Sequence, residues 1–198
     1  TVILVALPVV FQPELRRALE QIGRGRFFRS GQVISMEELE RLIDEIVAIS
    51  ESLSKTHTGA LIVFEREVGL NDYIDTGIAI DGLVSRELLG NIFIPNTPLH
   101  DGAVIIRENR IMAAGCLLPL TSDRSLSTEL GTRHRAAIGI SELADAVVVV
   151  VSEETGSISY TYGGHIYRHL DGNALRNVLK TFLNRTPQGL ANIFKWRP

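Results

Sequence analysis

The run Ala146-Val147-Val148-Val149-Val150-Val151 constrains this chain more than any other stretch of it. Valine branches at Cβ, which restricts its side-chain torsion and suits it to a pleated surface. The run has no polar alternation, so neither face of the strand it forms is meant for water. A strand covered on both faces needs a layer of structure on each side. The rest of the sequence supplies candidates for those layers.

Ser35 followed by Glu38 makes a capping box. Behind it Leu39, Leu42, Ile43, Ile46, Val47 and Leu53 recur at helical spacing, which predicts a long helix over residues 36–54. Short apolar strands are expected at Gly59–Phe64 and Gly77–Ile80, with Ser85 capping a helix that carries Leu88, Leu89 and Ile92. Val104–Arg107 and Ile111–Leu118 read as paired strands around Glu108-Asn109-Arg110. Ser157–Tyr162 and His165–Tyr167 flank Gly163-Gly164, a strong hairpin signal. Residues 172–184 close the series as a helix bearing Leu175, Val178, Leu179 and Phe182. Helices and strands alternate without an internal repeat. The expected fold is α/β, a single globular domain with a central mixed sheet flanked by helices. A chain of 198 residues, 45% hydrophobic and 22% charged, is large enough to bury such a core.

The N-terminus reads differently. Val2 to Phe11 is almost wholly apolar, but ten residues interrupted by Pro8 cannot cross a bilayer, which needs about 20. Either it is a buried or interfacial segment, or it is the stump of a transmembrane helix. Gln12 to Gly23 follows as a short amphipathic helix, with Leu15, Leu19 and Ile22 on one face. Gly23 to Gly31 is glycine-rich and basic, with Arg24, Arg26 and Arg29, and reads as a linker.

A formal net charge of −3 gives no global attraction to polyanions, so nucleic acid is not an expected partner. The lone Cys116 excludes an internal disulfide and a thiolate zinc cluster. No nucleotide-binding P-loop, dinucleotide fingerprint, H-E-x-x-H or G-x-S-x-G motif is present. Ser52-Leu53-Ser54-Lys55 fits the S-x-x-K pattern of serine acylases, but sits at the end of a surface-type helix without the accompanying motifs.

Three places could carry chemistry. Pro98-Leu99-His100-Asp101-Gly102-Ala103 sets an imidazole and a carboxylate beside a glycine that permits close approach of a ligand. The same Asp-Gly pair also suits an ordinary turn. Gly131-Thr132-Arg133-His134-Arg135 opens an Ala/Ile-rich helix, where free N–H groups favour an anion. Cationic side chains oppose the dipole at that end, and a bound phosphate chain resolves the misfit. The plain alternative is a solvated helix start with Thr132 as N-cap. Ser152-Glu153-Glu154-Thr155-Gly156 follows the buried strand, where two carboxylates could hold a divalent cation or form an acidic turn. Together the three suggest phosphate plus metal, hence a nucleotide.

The segments Asp101-Gly102-Ala103 and Gly131-Thr132-Arg133-His134-Arg135 resemble the D-G-A and R-H-R motifs of the diadenylate cyclase domain. Phe11–Arg17, Asn91–Ala103 and Val151–Gly156 resemble its membrane-anchored, CdaA-type members, and the likeness extends over residues 10–185. The resemblance implies condensation of two ATP into cyclic di-AMP with release of pyrophosphate. It assigns Asp101 to the ribose 3′-hydroxyl, Gly102 and Ala103 to nucleotide contact, and Leu118 to adenine. Gly131, Thr132, Arg133 and His134 would hold the triphosphate with Ser152 and Glu153. Glu154, Asp101 and His100 would bind Mn²⁺ or Mg²⁺. It implies a face-to-face homodimer with one ATP per subunit, and a membrane regulator and a sugar-phosphate mutase as partners. On this view residues 1–10 are the remnant of a transmembrane helix and 11–31 the amphipathic helix and linker. Residues 32–186 are the catalytic domain and 187–198 a C-terminal tail. The full-length protein would sit in a bacterial membrane with this domain in the cytoplasm, and this chain would be a soluble truncation. Two rival functions remain, a non-catalytic ATP or cyclic-dinucleotide sensor and a nucleotide hydrolase. Asp101 beside Arg133 and His134 favours catalysis, because a sensor has no use for an acid at the 3′-hydroxyl.

Overall fold

The valine run forms strand β5, Val147–Val151, and all five of its side chains are buried. Val149 and Val151 join one hydrophobic cluster. Val148 and Val150 join another on the opposite face. The computed structural model describes residues 34–123, 127 and 130–184. The apolar start, the amphipathic helix with its basic linker and the tail from 187 lie outside the described residues.

The other strands are β1 (Ala60–Glu65), β2 (Ile78–Leu83), β3 (Ala103–Arg107), β4 (Arg110–Cys116), β6 (Ile158–Tyr162) and β7 (His165–Leu170). They make one seven-stranded sheet in the order β2-β4-β3-β1-β5-β6-β7. β1 and β3 run parallel, and the other neighbours are antiparallel. The sheet is mixed, as expected. Two strands run further than the sequence suggested. β2 extends to Leu83 through a register shift between Ala79 and Gly82, with Asp81 at φ 49°. β7 continues to Leu170 as an edge strand that alternates between exposed and half-buried positions.

Helix α1 (Met36–Lys55) begins with the capping box in reciprocal form, Ser35 Oγ accepting from Glu38 N and the Glu38 side chain from Ser35 N. Its apolar stripe, with α3 (Arg86–Ile92) and α5 (Gly172–Leu183), covers the face carrying Ile62, Val104, Ile106 and Val149. Ile43, Ile46 and Ile62 are fully buried there, each contributing about 2 kcal/mol by removal from water. Helix α4 (Thr132–Leu143) covers the other face, laying Ala136, Ala137 and Ile140 on Leu61, Val63, Ile105, Val148 and Val150. Its small residues bring it close to the sheet. The short helix α2 (Asn71–Ile74), not anticipated from sequence, adds Tyr73 and Ile74 on this side.

Strand direction decides which chain ends meet. Ala60 lies opposite Val151, and Ala103 opposite Cys116. The starts of β1 and β3 and the ends of β4 and β5 therefore share one end of the sheet. All three candidate segments emerge there.

Candidate active site

Helix α4 starts at Thr132, with Gly131 as N-cap, a residue that has no side chain to cap the first turn. Thr132 is thus the first helical residue and not the cap. N–H groups in the first turn of a helix favour an anion. Gly131, Thr132, Arg133 and His134 line an open cleft together with Val151, Ser152, Glu153 and Glu154.

Arg133 crosses between the motifs. Its Nη1 donates to Glu153 Oε2 at 2.5 Å, and its Nη2 lies 3.0 Å from His100 Nε2. A guanidinium can only donate, so His100 Nε2 is the acceptor. Nδ1 then carries the proton and donates to the Phe93 carbonyl at 3.0 Å. The residue beside Asp101 is in this way hydrogen-bonded to the residue beside His134. Gly59, at the head of β1, makes room for the arrangement. A β-carbon there would lie 2.6 Å from Arg133 Nη1 and 2.9 Å from Glu153 Oε2. Arg135 plays a different part, donating from Nε to the Leu130 carbonyl at 3.3 Å.

His134 is only 6% exposed. Desolvation lowers its pKa below the ordinary imidazole value, the positive charge of Arg168 lowers it further, and Glu154 opposes both. The lowered pKa favours its neutral form, which offers hydrogen bonds where the Arg133 guanidinium offers charge. Ser152 is buried, and its Oγ accepts from Thr155 N at 3.2 Å, leaving the hydroxyl proton to donate.

The acidic turn is held from outside. Ser54 Oγ donates to the Gly156 carbonyl at 2.6 Å, and His57 Nδ1 donates to the Glu154 carbonyl at 3.3 Å.

Asp101 is exposed in the loop before β3. Gly102 has φ 123°, and a β-carbon there would come within 2.7 Å of the Gly115 carbonyl carbon. No other residue fits both the dihedral and the space. Ala103 is buried at the start of β3. Leu118 is half-buried against the α4-side cluster. Beyond it the chain lies on α4, where a β-carbon on Gly139 would lie 2.3 Å from the Pro119 carbonyl oxygen. Thr121 N also donates to the Arg135 carbonyl at 3.1 Å. The cleft wall thus gathers residues 131–134 and 152–154, whereas Asp101, Gly102, Ala103 and Leu118 sit on adjoining segments. Cys116 is buried, its thiol pushed up to about 11 by desolvation, and is no nucleophile at neutral pH.

Of the expected metal residues, His100 has both ring nitrogens engaged by Phe93 and Arg133. We therefore leave it out of the ligand set. The described residues contain no group of three or more His, Cys, Asp or Glu that could hold a metal alone. A nucleotide-bound Mg²⁺ or Mn²⁺ takes most of its ligands from phosphate oxygens and water, with one or two protein carboxylates. Glu154 in the cleft wall and Asp101 fit that smaller requirement.

The family model for the DisA bacterial checkpoint controller nucleotide-binding domain matches residues 47–166. Cyclic di-AMP synthase CdaA of Bacillus subtilis is 50% identical over 194 residues, 97% of this chain and 71% of that protein. This chain belongs to the diadenylate cyclase family. A diadenylate cyclase of Listeria monocytogenes is also 50% identical, with the same coverage of both chains. A crystal structure of DacA from Staphylococcus aureus, a double mutant, superposes with a TM-score of 0.72 at 50% identity, covering 73% of this chain and 97% of that one. A structure from Bacillus cereus, described as a hypothetical membrane spanning protein, gives 0.62 at 46% identity and covers 64% and 62%. The family match contains Gly59, His100, Asp101, the start of α4 and the acidic turn.

Proposed function

We propose that this chain is a diadenylate cyclase that condenses two ATP molecules into cyclic di-3′,5′-AMP and two pyrophosphates. One observation carries the reading. Arg133 stands at a helix start whose N-cap is a glycine, and among the described residues its guanidinium is held by an exposed carboxylate and by an imidazole of the Asp101 loop.

An incoming triphosphate can displace Glu153 from Arg133 and accept from the first-turn N–H groups of α4. Thr132, His134 and Ser152 add neutral hydrogen bonds around it. Asp101 accepts the proton of the ribose 3′-hydroxyl. The 3′-oxygen then forms a bond to the α-phosphorus of the second ATP, and the bond from that phosphorus to the bridging oxygen breaks with pyrophosphate leaving. Positioning and charge stabilisation are the protein's main contribution. When bound, Mn²⁺ or Mg²⁺ held by Glu154 and Asp101 would neutralise phosphate charge and make the hydroxyl proton easier to remove. Leu118 offers apolar surface for adenine.

Two such bonds are needed to close the ring, so we place one ATP on each of two copies that face one another. The described residues include no helix long and apolar enough to cross a membrane. The Bacillus cereus neighbour's description supports reading the apolar segment Val2–Val10 as membrane-associated.

Incubation with ATP and Mn²⁺ followed by mass detection tests the proposal. Cyclic di-AMP is the expected product. AMP or ADP would instead indicate a hydrolase, and bound ATP without product a sensor.

A further inference from the structure

The corner between α1 and β1, residues 54–59, belongs to none of the three candidate segments, yet it touches the site in three places. Ser54 and His57 grip the carbonyls of Gly156 and Glu154. Gly59 lies beneath the Arg133–Glu153 pair with no space for a side chain. Gly156 is pressed on the same corner, since a β-carbon on it would lie 2.6 Å from the Ser54 carbonyl oxygen. His57 adopts a positive φ of 50°, a conformation that is uncommon outside glycine, asparagine, aspartate and histidine. The backbone bend and the side-chain contact with Glu154 thus occur at one residue.

We propose that Ser54 and His57 are positioning residues, fixing the 152–156 turn so that the Glu154 carboxylate is presented to the nucleotide-bound cation. This rests on the reading of Glu154 as a metal ligand. Both act through the backbone of the turn and neither touches substrate. Groups that orient a ligand in this indirect way typically change metal affinity by about 10- to 100-fold when removed.

The test reads Mn²⁺ binding without turnover. Free Mn²⁺ is followed by electron paramagnetic resonance as it is titrated into the chain saturated with a non-cyclising ATP analogue carrying a methylene bridge between the α and β phosphorus atoms. Ser54→Ala combined with His57→Gly removes both donors, and glycine tolerates the positive φ. The double variant should bind Mn²⁺ about tenfold more weakly, while its melting temperature and its affinity for ATP in EDTA stay near those of the parent. His57→Asn accepts the same backbone conformation and keeps a donor at the δ position. It should recover most of the Mn²⁺ affinity in the presence of Ser54. An unchanged Mn²⁺ curve in the double variant would overturn the inference. So would a parallel fall in melting temperature, metal-free ATP affinity and Mn²⁺ affinity, because that marks general loosening. The curve is read without cyclisation, so it decides this inference separately from the proposed activity.

Discussion

The two ends of the sheet each carry an arginine paired with a carboxylate, and they use it in opposite ways. At the end remote from the cleft, Arg107 donates to both oxygens of Glu65 at 2.6 and 2.7 Å and to Asn71 Oδ1 at 2.6 Å. The Glu65 side chain is only 8% exposed, and Glu65 Oε2 also accepts from Leu70 N at 2.8 Å. Its hydrogen bonds to Glu65 raise the Arg107 pKa still higher, burial opposing them. At the cleft end Arg133 has one carboxylate partner, Glu153, whose side chain is 58% exposed, and one neutral imidazole. The first pair is closed and structural. The second can be opened by a ligand of higher negative charge at little desolvation cost. Arginine and carboxylate alone therefore do not mark a site. The difference we propose as the mark of one is an arginine whose carboxylate partner is exposed, beside a helix start capped by glycine.

This contrast can be broken by mutation. The largest effect is expected at the reacting group itself, where Asp101→Asn should lower cyclisation by about 10²- to 10⁴-fold. ATP binding, measured by calorimetry, should be retained, and unchanged turnover would remove Asp101 from the mechanism. Next come the two arginines. Arg133→Ala should lower turnover by about 10²-fold or more with little change in melting temperature. Arg107→Ala should do the reverse, lowering stability by about 3 kcal/mol because the buried Glu65 carboxylate loses its counter-charge, with turnover by the folded fraction near that of the parent. Thermal melts and initial rates on both variants decide whether the two ends differ as stated.

Gly59→Ala should have a smaller effect. Its methyl group pushes into the Arg133–Glu153 pair, and ATP affinity should fall by about tenfold for a displacement costing about 1.4 kcal/mol. The mildest effect concerns pH. His134 has a folded-state pKa below its unfolded value, so the unfolded chain binds more protons as pH falls through the ordinary imidazole range near 6.5. Stability should therefore drop from pH 7 towards the lowered pKa, by at most about 1.4 kcal/mol per pH unit. His134→Gln should flatten that part of a melting-temperature profile.

Much of this organisation was legible in the sequence because it is written in short stretches. The valine run, the capping box at Ser35, the cap at Ser85 and the Gly163-Gly164 turn are local signals, and each element formed where its signal stood. The helix start proposed to hold the triphosphate was legible for the same reason, since glycine, hydroxyl and cationic residues out of keeping with a helix dipole are adjacent. Pairings across long chain separations were not legible. His100 and Arg133 are 33 residues apart, Ser54 and Gly156 are 102 apart, and no local pattern links them. The metal role that the sequence suggests for His100 stands beside its hydrogen bond to Arg133, which no local pattern signals. Gly59 looked like nothing more than the start of a strand, because its importance lies in what a missing side chain leaves free. Strand-end reasoning was only half sufficient. The acidic turn does follow the carboxyl end of β5, but Gly59 and Ala103 stand at amino ends, a consequence of the mixed sheet.

The most direct test is cyclic di-AMP formed per subunit at saturating ATP and Mn²⁺ over a dilution series, with the product identified by mass. Two facing copies predict cyclic product whose yield per subunit falls once dilution separates them. Absence of cyclic product, or turnover per subunit that stays constant below the dimer dissociation constant, would contradict ring closure between two copies.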